Sequence, residues 1–283
     1  MKGTKMSATS RAALMVCLAG LFSTAQATET KTVKIATEGA FPPWNAIDSS
    51  GKPVGFDIDV GYALCEKAGL KCEFVAQAWD GIIPGLTVGK YDAIMAGMSI
   101  TEKRRRVIAF SEPYAVTANY FVLRNDIGVE DVGGTQAIDL TTMGDPGVLS
   151  SLRAKLKGRT IGVQGATNAE VFINEYFGQD VSVRIYDKQD SLNLDILAGR
   201  IDGGLADLSV WQTFLKDNSS IARTYGPRIS GGVFGQGIGI GVRKSDAELA
   251  EKFNNAIDAL ATSGALTRMS IKWFAADVTP SMQ

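Results

Sequence analysis

Apolar residues along this chain come in two rhythms: short β-branched runs, and stretches where they return every three or four positions. The run Val33-Lys-Ile-Ala-Thr37 predicts a strand over 33–37. Val60, Ala63, Leu64 and Ala68 share one helical face, so 57–68 is expected to be a helix. Asp57 or Asp59 falls in its first turn, where a carboxylate suits the N-terminal dipole. The same reading predicts strands over 71–76, 93–95 and 120–123, a short helix over 79–88, and a helical turn over 101–106 capped by Thr101. A loop over 40–48 carries Phe41, Pro42, Pro43 and Trp44. Residues 126–145 are rich in Gly, Thr and Asp, lack periodicity, and are expected to form an exposed insertion. A second series then predicts strands over 159–163, 181–186 and 202–205, with helices over 167–176 and 191–198 and another from 210. Two units with one element order point to an α/β fold of two lobes, each a mostly parallel sheet flanked by helices.

Beyond Tyr225-Gly226-Pro227 the rhythm changes. Residues 233–242 alternate Gly with apolar residues, put Ile238, Ile240 and Val242 on one face, and read as a strand. The run Gly235-x-Gly237-x-Gly239-x-Gly241 lacks the G-x-G-x-x-G spacing of a dinucleotide loop, and a basic pair rather than a helix follows it. Periodic helices are predicted over 246–263 and 266–274.

The first residues carry a different message. Lys2, Lys5 and Arg11 precede an apolar stretch over 12–22, and Ala25-Gln26-Ala27 has the small-residue form of a cleavage site, so 1–27 reads as an export signal. The apolar stretch is too short to span a bilayer, and no later run approaches about twenty apolar residues. Cys17 follows Val16 rather than a small residue, which argues against a lipoprotein. Cleavage leaves about 256 residues, large for one core and typical of two lobes. Without Lys2, Lys5 and Arg11, the 29 basic residues fall to 26 against 30 acidic ones, a balance of −4 that gives no reason to invoke nucleic acid. The chain contains no histidine, which removes histidine triads, most zinc sites and the commonest general base. Cys65 and Cys72, seven apart in an exported chain, read as a disulfide tying a helix end to the next strand, with two buried thiols as the alternative. So short a loop implies about 2 kcal/mol, enough to limit local fraying.

Open α/β sheets bind ligands beyond the carboxyl ends of their strands. Those ends are Glu38, residues 96–99, 164–168, and Ala206-Asp207. Arg104 offers a planar fork for a carboxylate, although Lys103-Arg104-Arg105-Arg106 also reads as a solvated run. Asp207 is either a ligand anchor, the N-cap of the helix that follows, or both. Glu38 is a ligand anchor or a surface carboxylate, and Phe41 and Trp79 are aromatic walls or ordinary core. Gly165-Ala166-Thr167 opens a predicted helix, whose first N–H groups make an anion site.

Two strings add a family. Gly55-Phe-Asp-Ile-Asp-Val60 with Gly-Tyr-Ala-Leu64-Cys65, and Ser99-Ile100-Thr101-Glu102-Lys103-Arg104, closely resemble signatures of bacterial extracellular solute-binding proteins of family 3. Those proteins deliver polar amino acids to ABC importers, and the likeness covers nearly the whole mature chain. It implies a type II periplasmic-binding-protein fold, with lobe 1 over 28–115 plus 228–283, lobe 2 over 116–227, and linking strands near 114–118 and 224–229. It implies that Arg104, Ser99 and Thr167 hold a ligand α-carboxylate, that Asp207 holds the α-ammonium, and that Glu38 meets a distal cation. Phe41 and Trp79 would flank the ligand side chain, small Ala96 and Gly97 leave room for it, and Gln164, Ala166 and Asn168 complete the site. Glu38, Asp207 and Arg104 sum to −1, which a basic amino acid (arginine, ornithine or lysine) neutralises, and an acidic one should be rejected.

The resemblance also admits an opine such as octopine or nopaline. The string Gln77-Ala78-Trp79-Asp80-Gly81-Ile82-Ile83-Pro84 and the run Gly226-Pro227-Arg228-Ile229-Ser230-Gly231-Gly232 look like that branch, and Asn119 is placed to meet a second carboxylate. Asp207 departs from it, because opine binders tend to carry an uncharged polar residue there. An enzyme on the same fold, such as a cyclohexadienyl dehydratase, is a third reading, opposed by the missing histidines and the intact amino-acid clamp. The expectation is a periplasmic monomer without metal or cofactor, serving a permease in the inner membrane.

Overall fold

Val33–Thr37 is the parallel strand that organises the first half of the fold, flanked by Cys72–Ala76 on one side and Ala93–Ile94 on the other. Of its residues only Lys34 is exposed, the pattern of a strand covered on both faces. The computed structural model describes residues 32–132, 136–143 and 147–280, with Met1 and Gly3. The expected export signal lies outside the described residues. Gly241–Val242 and Ala109–Phe110 complete a five-stranded sheet, with Gly241–Val242 antiparallel to both its neighbours. The helices Phe56–Lys67, Ala247–Thr262 and Ala265–Phe274 pack on this sheet around Trp44, Phe56, Leu64, Phe253 and Phe274. Chain ends far apart in sequence therefore share one core.

The second sheet has six strands. Ser182–Tyr186, Thr160–Gln164 and Gly203–Asp207 run parallel, then Asn119–Arg124 and Ala222–Ser230 pair in antiparallel fashion. Its own cores form on either face, one around Phe121, Phe172 and Phe177, the other around Trp211, Leu192 and Ile196.

Several segments differ from the sequence reading, each for a tertiary reason. Within the expected insertion, Ala137–Asp139 is a strand that pairs with Arg228–Ser230 at the sheet edge and buries Ile138. Three residues with one apolar side chain carry no readable period. Gly147–Leu156 is a helix that buries Leu149, Leu152 and Leu156. Ala222–Ser230 stays in the six-stranded sheet throughout, so the second passage between sheets lies beyond 224–229. There Ile238 bridges both Ser99 and Ala115. The glycine-alternating stretch is a strand only at Gly241–Val242. Before that, Gly235 and Gly237 take φ of 83° and 117°, and a Cβ at Gly235 would stand 2.2 Å from the Ile100 carbonyl oxygen. The glycines serve close passage between the halves rather than sheet pairing.

Asp57 and Asp59 both lie in the first turn of the helix Phe56–Lys67, as expected, and neither is its N-cap. Its N-cap is Gly55, while Asp59 takes Lys272 Nζ at 2.6 Å and Trp273 Nε1 at 2.7 Å. Cys65 and Cys72 form the expected disulfide between the end of Phe56–Lys67 and the start of Cys72–Ala76.

Candidate functional site

The carboxyl ends of Val33–Thr37, Thr160–Gln164 and Gly203–Asp207 open onto one cleft with about 560 Å³ of empty space. Glu38, Phe41, Trp79, Ala96, Gly97, Ser99 and Arg104 line it from the five-stranded side. Asn119, Gln164, Thr167, Asn168 and Asp207 line it from the six-stranded side. Ala166 is not among the residues that line the cleft. Its N–H donates to Glu170 Oε2 at 2.7 Å, and its carbonyl accepts Trp79 Nε1 at 3.2 Å. Among the described residues, side-chain hydrogen bonds that join the two halves include that one, Gln164 Nε2 to Glu38 Oε1 at 2.7 Å, and Trp44 Nε1 to Ser209 Oγ at 2.8 Å.

Arg104 sits in the short helix Glu102–Arg105, where Thr101 is the N-cap and accepts the Arg104 N–H at 3.3 Å. Its guanidinium is buried, donates Nη1 to the Ser99 carbonyl at 2.9 Å, and lies 5.2 Å from the centre of the Trp79 ring. Among the described residues it forms no salt bridge. Burial pulls its pKa down to about 10, which still leaves it charged at neutral pH. A buried cation whose nearest partners are a neutral carbonyl and a ring is incomplete without an anion. The opposite wall contributes the first residues of the helix Asn168–Phe177, whose leading N–H groups have no intrahelical acceptor. The Thr167 hydroxyl is committed, donating to the Gln164 carbonyl at 2.7 Å and accepting the Glu170 N–H at 3.3 Å.

Asp207 combines the N-cap position of one helix with a place on the cleft wall. It caps the helix Leu208–Asn218 by accepting the Ser209 N–H at 2.8 Å, and it also lines the cleft. Burial raises its pKa, opposed by hydrogen bonds that include those of Ser209. The Ser209 hydroxyl donates to Asp207 Oδ1 at 2.5 Å and itself accepts Trp44 Nε1. Trp44 is otherwise core, fully buried against Phe56 and Phe274. Glu38 also lines the cleft. Burial lifts its pKa to about 7, opposed by the Gln164 hydrogen bond and the charge of Lys188, while Asp190 and Asp187 push it further up.

Sequence reasoning missed Ala169, Gln189, Leu205 and Phe234 as lining residues, while Ala206 stands at a strand end it had named. It also missed the support beneath the cleft. Asp57 is fully buried and accepts from Asn45 Nδ2 at 2.9 Å, the Gly97 N–H at 2.8 Å and the Tyr114 hydroxyl at 2.6 Å. Asn45 in turn accepts the N–H of Gly39, next to Glu38, at 2.7 Å. Burial raises the Asp57 pKa to about 6, with all three donors opposing. Gly97 has φ of 58°, and an added Cβ would meet Trp44 at 3.3 Å and Phe41 at 3.5 Å, so glycine suits both the turn and the crowding.

Two α/β halves closed on a cleft, with a buried cation on one wall and a buried carboxylate on the other, define the ligand-clamping type II periplasmic-binding fold. The chain belongs to the bacterial extracellular solute-binding proteins, family 3, whose pattern matches residues 33–276. It is 38% identical to the octopine-binding periplasmic protein of Rhizobium meliloti, over 90% of this chain and 94% of the relative. It is 36% identical to the L-arginine-binding protein of Pseudomonas aeruginosa, over 88% of this chain and 90% of the relative. A Salmonella typhimurium periplasmic binding protein of high arginine specificity superimposes with a TM-score of 0.72 at 29% identity, covering 86% of this chain and 99% of that one.

Proposed function

We propose that this protein binds a basic amino acid of the arginine, ornithine or lysine type between its lobes and hands it to an ABC-importer permease in the inner membrane. The observation that carries the reading is Arg104, a buried guanidinium without a carboxylate partner among the described residues, in a cleft that also holds Glu38 and the buried Asp207. Arg104 and the helix N-terminus at Asn168 take the ligand α-carboxylate, Asp207 takes the α-ammonium, and Glu38 takes the distal cation between Phe41 and Trp79. Ser99 borders the carboxylate, and Ala96 and Gly97 leave the side chain its space. The ligand bridges the two halves, and contacts made only in the closed form shift the population toward closure. The linking segments act as the hinge, one near 114–118 and the other beyond Ser230. Export through a signal cleaved after Ala27 places the mature chain in the periplasm as a monomer. The carrier reading is supported by relatives that are binding proteins, the octopine- and L-arginine-binding proteins among them.

A second reading, an octopine-like opine, is favoured by the octopine-binding relative and by Asn119, which lines the cleft directly opposite Asp207 in the strand pairing. An opine adds a carboxylate beside the α-nitrogen, and Asp207 would repel it. Calorimetry on protein unfolded and refolded to strip carried ligand, against arginine, lysine, ornithine, histidine, octopine and nopaline, separates the readings. Tight binding of a basic amino acid is expected; binding of the opines alone would overturn the proposal.

A further inference from the structure

Gln189 opens the helix Gln189–Leu197, is 1% exposed, and lines the cleft. Its Nε2 donates to Asn193 Oδ1 at 2.9 Å, and among the described residues nothing donates to its Oε1. Gln164, 4% exposed, is arranged in the same way. Its Nε2 donates to Glu38 Oε1 at 2.7 Å and to the Asp187 carbonyl at 3.3 Å, which leaves its own Oε1 without a donor. Among the described side chains only Thr37 Oγ1 is wholly enclosed without a partner, and both glutamines line the cleft. Both belong to its Glu38 end. Gln164 bonds Glu38 directly, the charges of Asp187, Lys188 and Asp190 around Gln189 act on Glu38, and the helix Gln189–Leu197 touches Ala40–Phe41.

We infer that Gln189 is a specificity-determining residue, accepting with Gln164 the N–H groups of the ligand's distal cation that Glu38 leaves over, so that the site is matched to a guanidinium rather than a primary ammonium. This rests on the basic-amino-acid reading above. A guanidinium presents five N–H donors in one plane, an ammonium only three. Glu38 Oε2, the remaining lone pair of Oε1 and the two glutamine carbonyls offer more acceptor positions than an ammonium fills. Buried polar groups left unpaired are what make a polar site reject a near-analogue. The planar cation also stacks on aromatic faces, which Phe41 and Trp79 supply.

The test is calorimetry of refolded wild type, Q189L and Q189E against arginine and lysine. Wild type is expected to bind arginine about tenfold or more tightly than lysine. Q189L should lose about tenfold or more on arginine and under about threefold on lysine, while Q189E, which keeps an acceptor oxygen, retains the preference. An unchanged arginine-to-lysine ratio in Q189L, or equal losses on both ligands, overturns the role of Gln189. A wild type that binds neither ligand would instead overturn the basic-amino-acid reading itself.

Discussion

Protonation of Glu38 should set the lower pH limit of ligand capture. In the closed cleft burial lifts this carboxyl from 4.5 to about 7, so its ionisation there is opposed by about 3 kcal/mol. The sign follows from linkage: between those two values the folded closed form holds a proton that the unfolded chain has released, so this group's contribution to stability falls as pH rises from about 4.5 to about 7. A cationic ligand reverses the balance, because it pairs with the ionised form. Affinity for arginine or lysine should therefore rise about tenfold per pH unit up to about 7 and then level off. At pH about 5.5, with roughly 3% of Glu38 ionised, affinity should be about 30-fold, or about 2 kcal/mol, below its value at pH about 8. Calorimetry in buffers of differing ionisation enthalpy should also detect close to one proton released per ligand below the midpoint. E38Q removes this titrating group, so its affinity for basic ligands should be low and its pH slope shallower, with only the contribution of Asp207 left, and neutral amino acids should be affected much less. A pH slope in E38Q as steep as in the wild type, or equal losses for neutral and basic ligands, would refute the assignment of the distal cation to Glu38.

Two further substitutions separate the ends of the clamp. R104A should weaken every α-amino acid by about 3 kcal/mol or more, because the ligand carboxylate loses its charge-assisted partner; a variant that retains wild-type affinity in fluorescence titration would sink the role. D207N keeps a good N-cap for Leu208–Asn218 while removing the charge, so binding should weaken by about 2 kcal/mol or more with little change in melting temperature. A melting shift without an affinity loss would make Asp207 a cap and nothing else.

Much of the fold was legible because its signals are local. The alternation of short apolar runs with helical periods, the Thr101 cap, and the seven-residue cysteine spacing all act within a few positions, and each has its counterpart in the structure. Most of the cleft was legible too, since strand ends are where an open sheet gathers chemistry, and the family strings supplied residue numbers. What the sequence could not indicate depends on partners far away along the chain. Asp57 reads as a helix-start carboxylate, yet it lies fully buried between Asn45, Gly97 and Tyr114, because three segments converge on it. Gln189 was hidden because its helix begins two residues earlier than periodicity indicated, which carries an otherwise ordinary glutamine to the cleft. Ile138 found its strand only because Arg228–Ser230 was there to pair with it. The sequence by itself determined most of the elements, the expectation of an export signal and the charged residues available for binding. Tertiary packing alone decided which of those charges are desolvated and which polar atoms face one another, since burial and pairing are properties of the assembled cleft rather than of any segment.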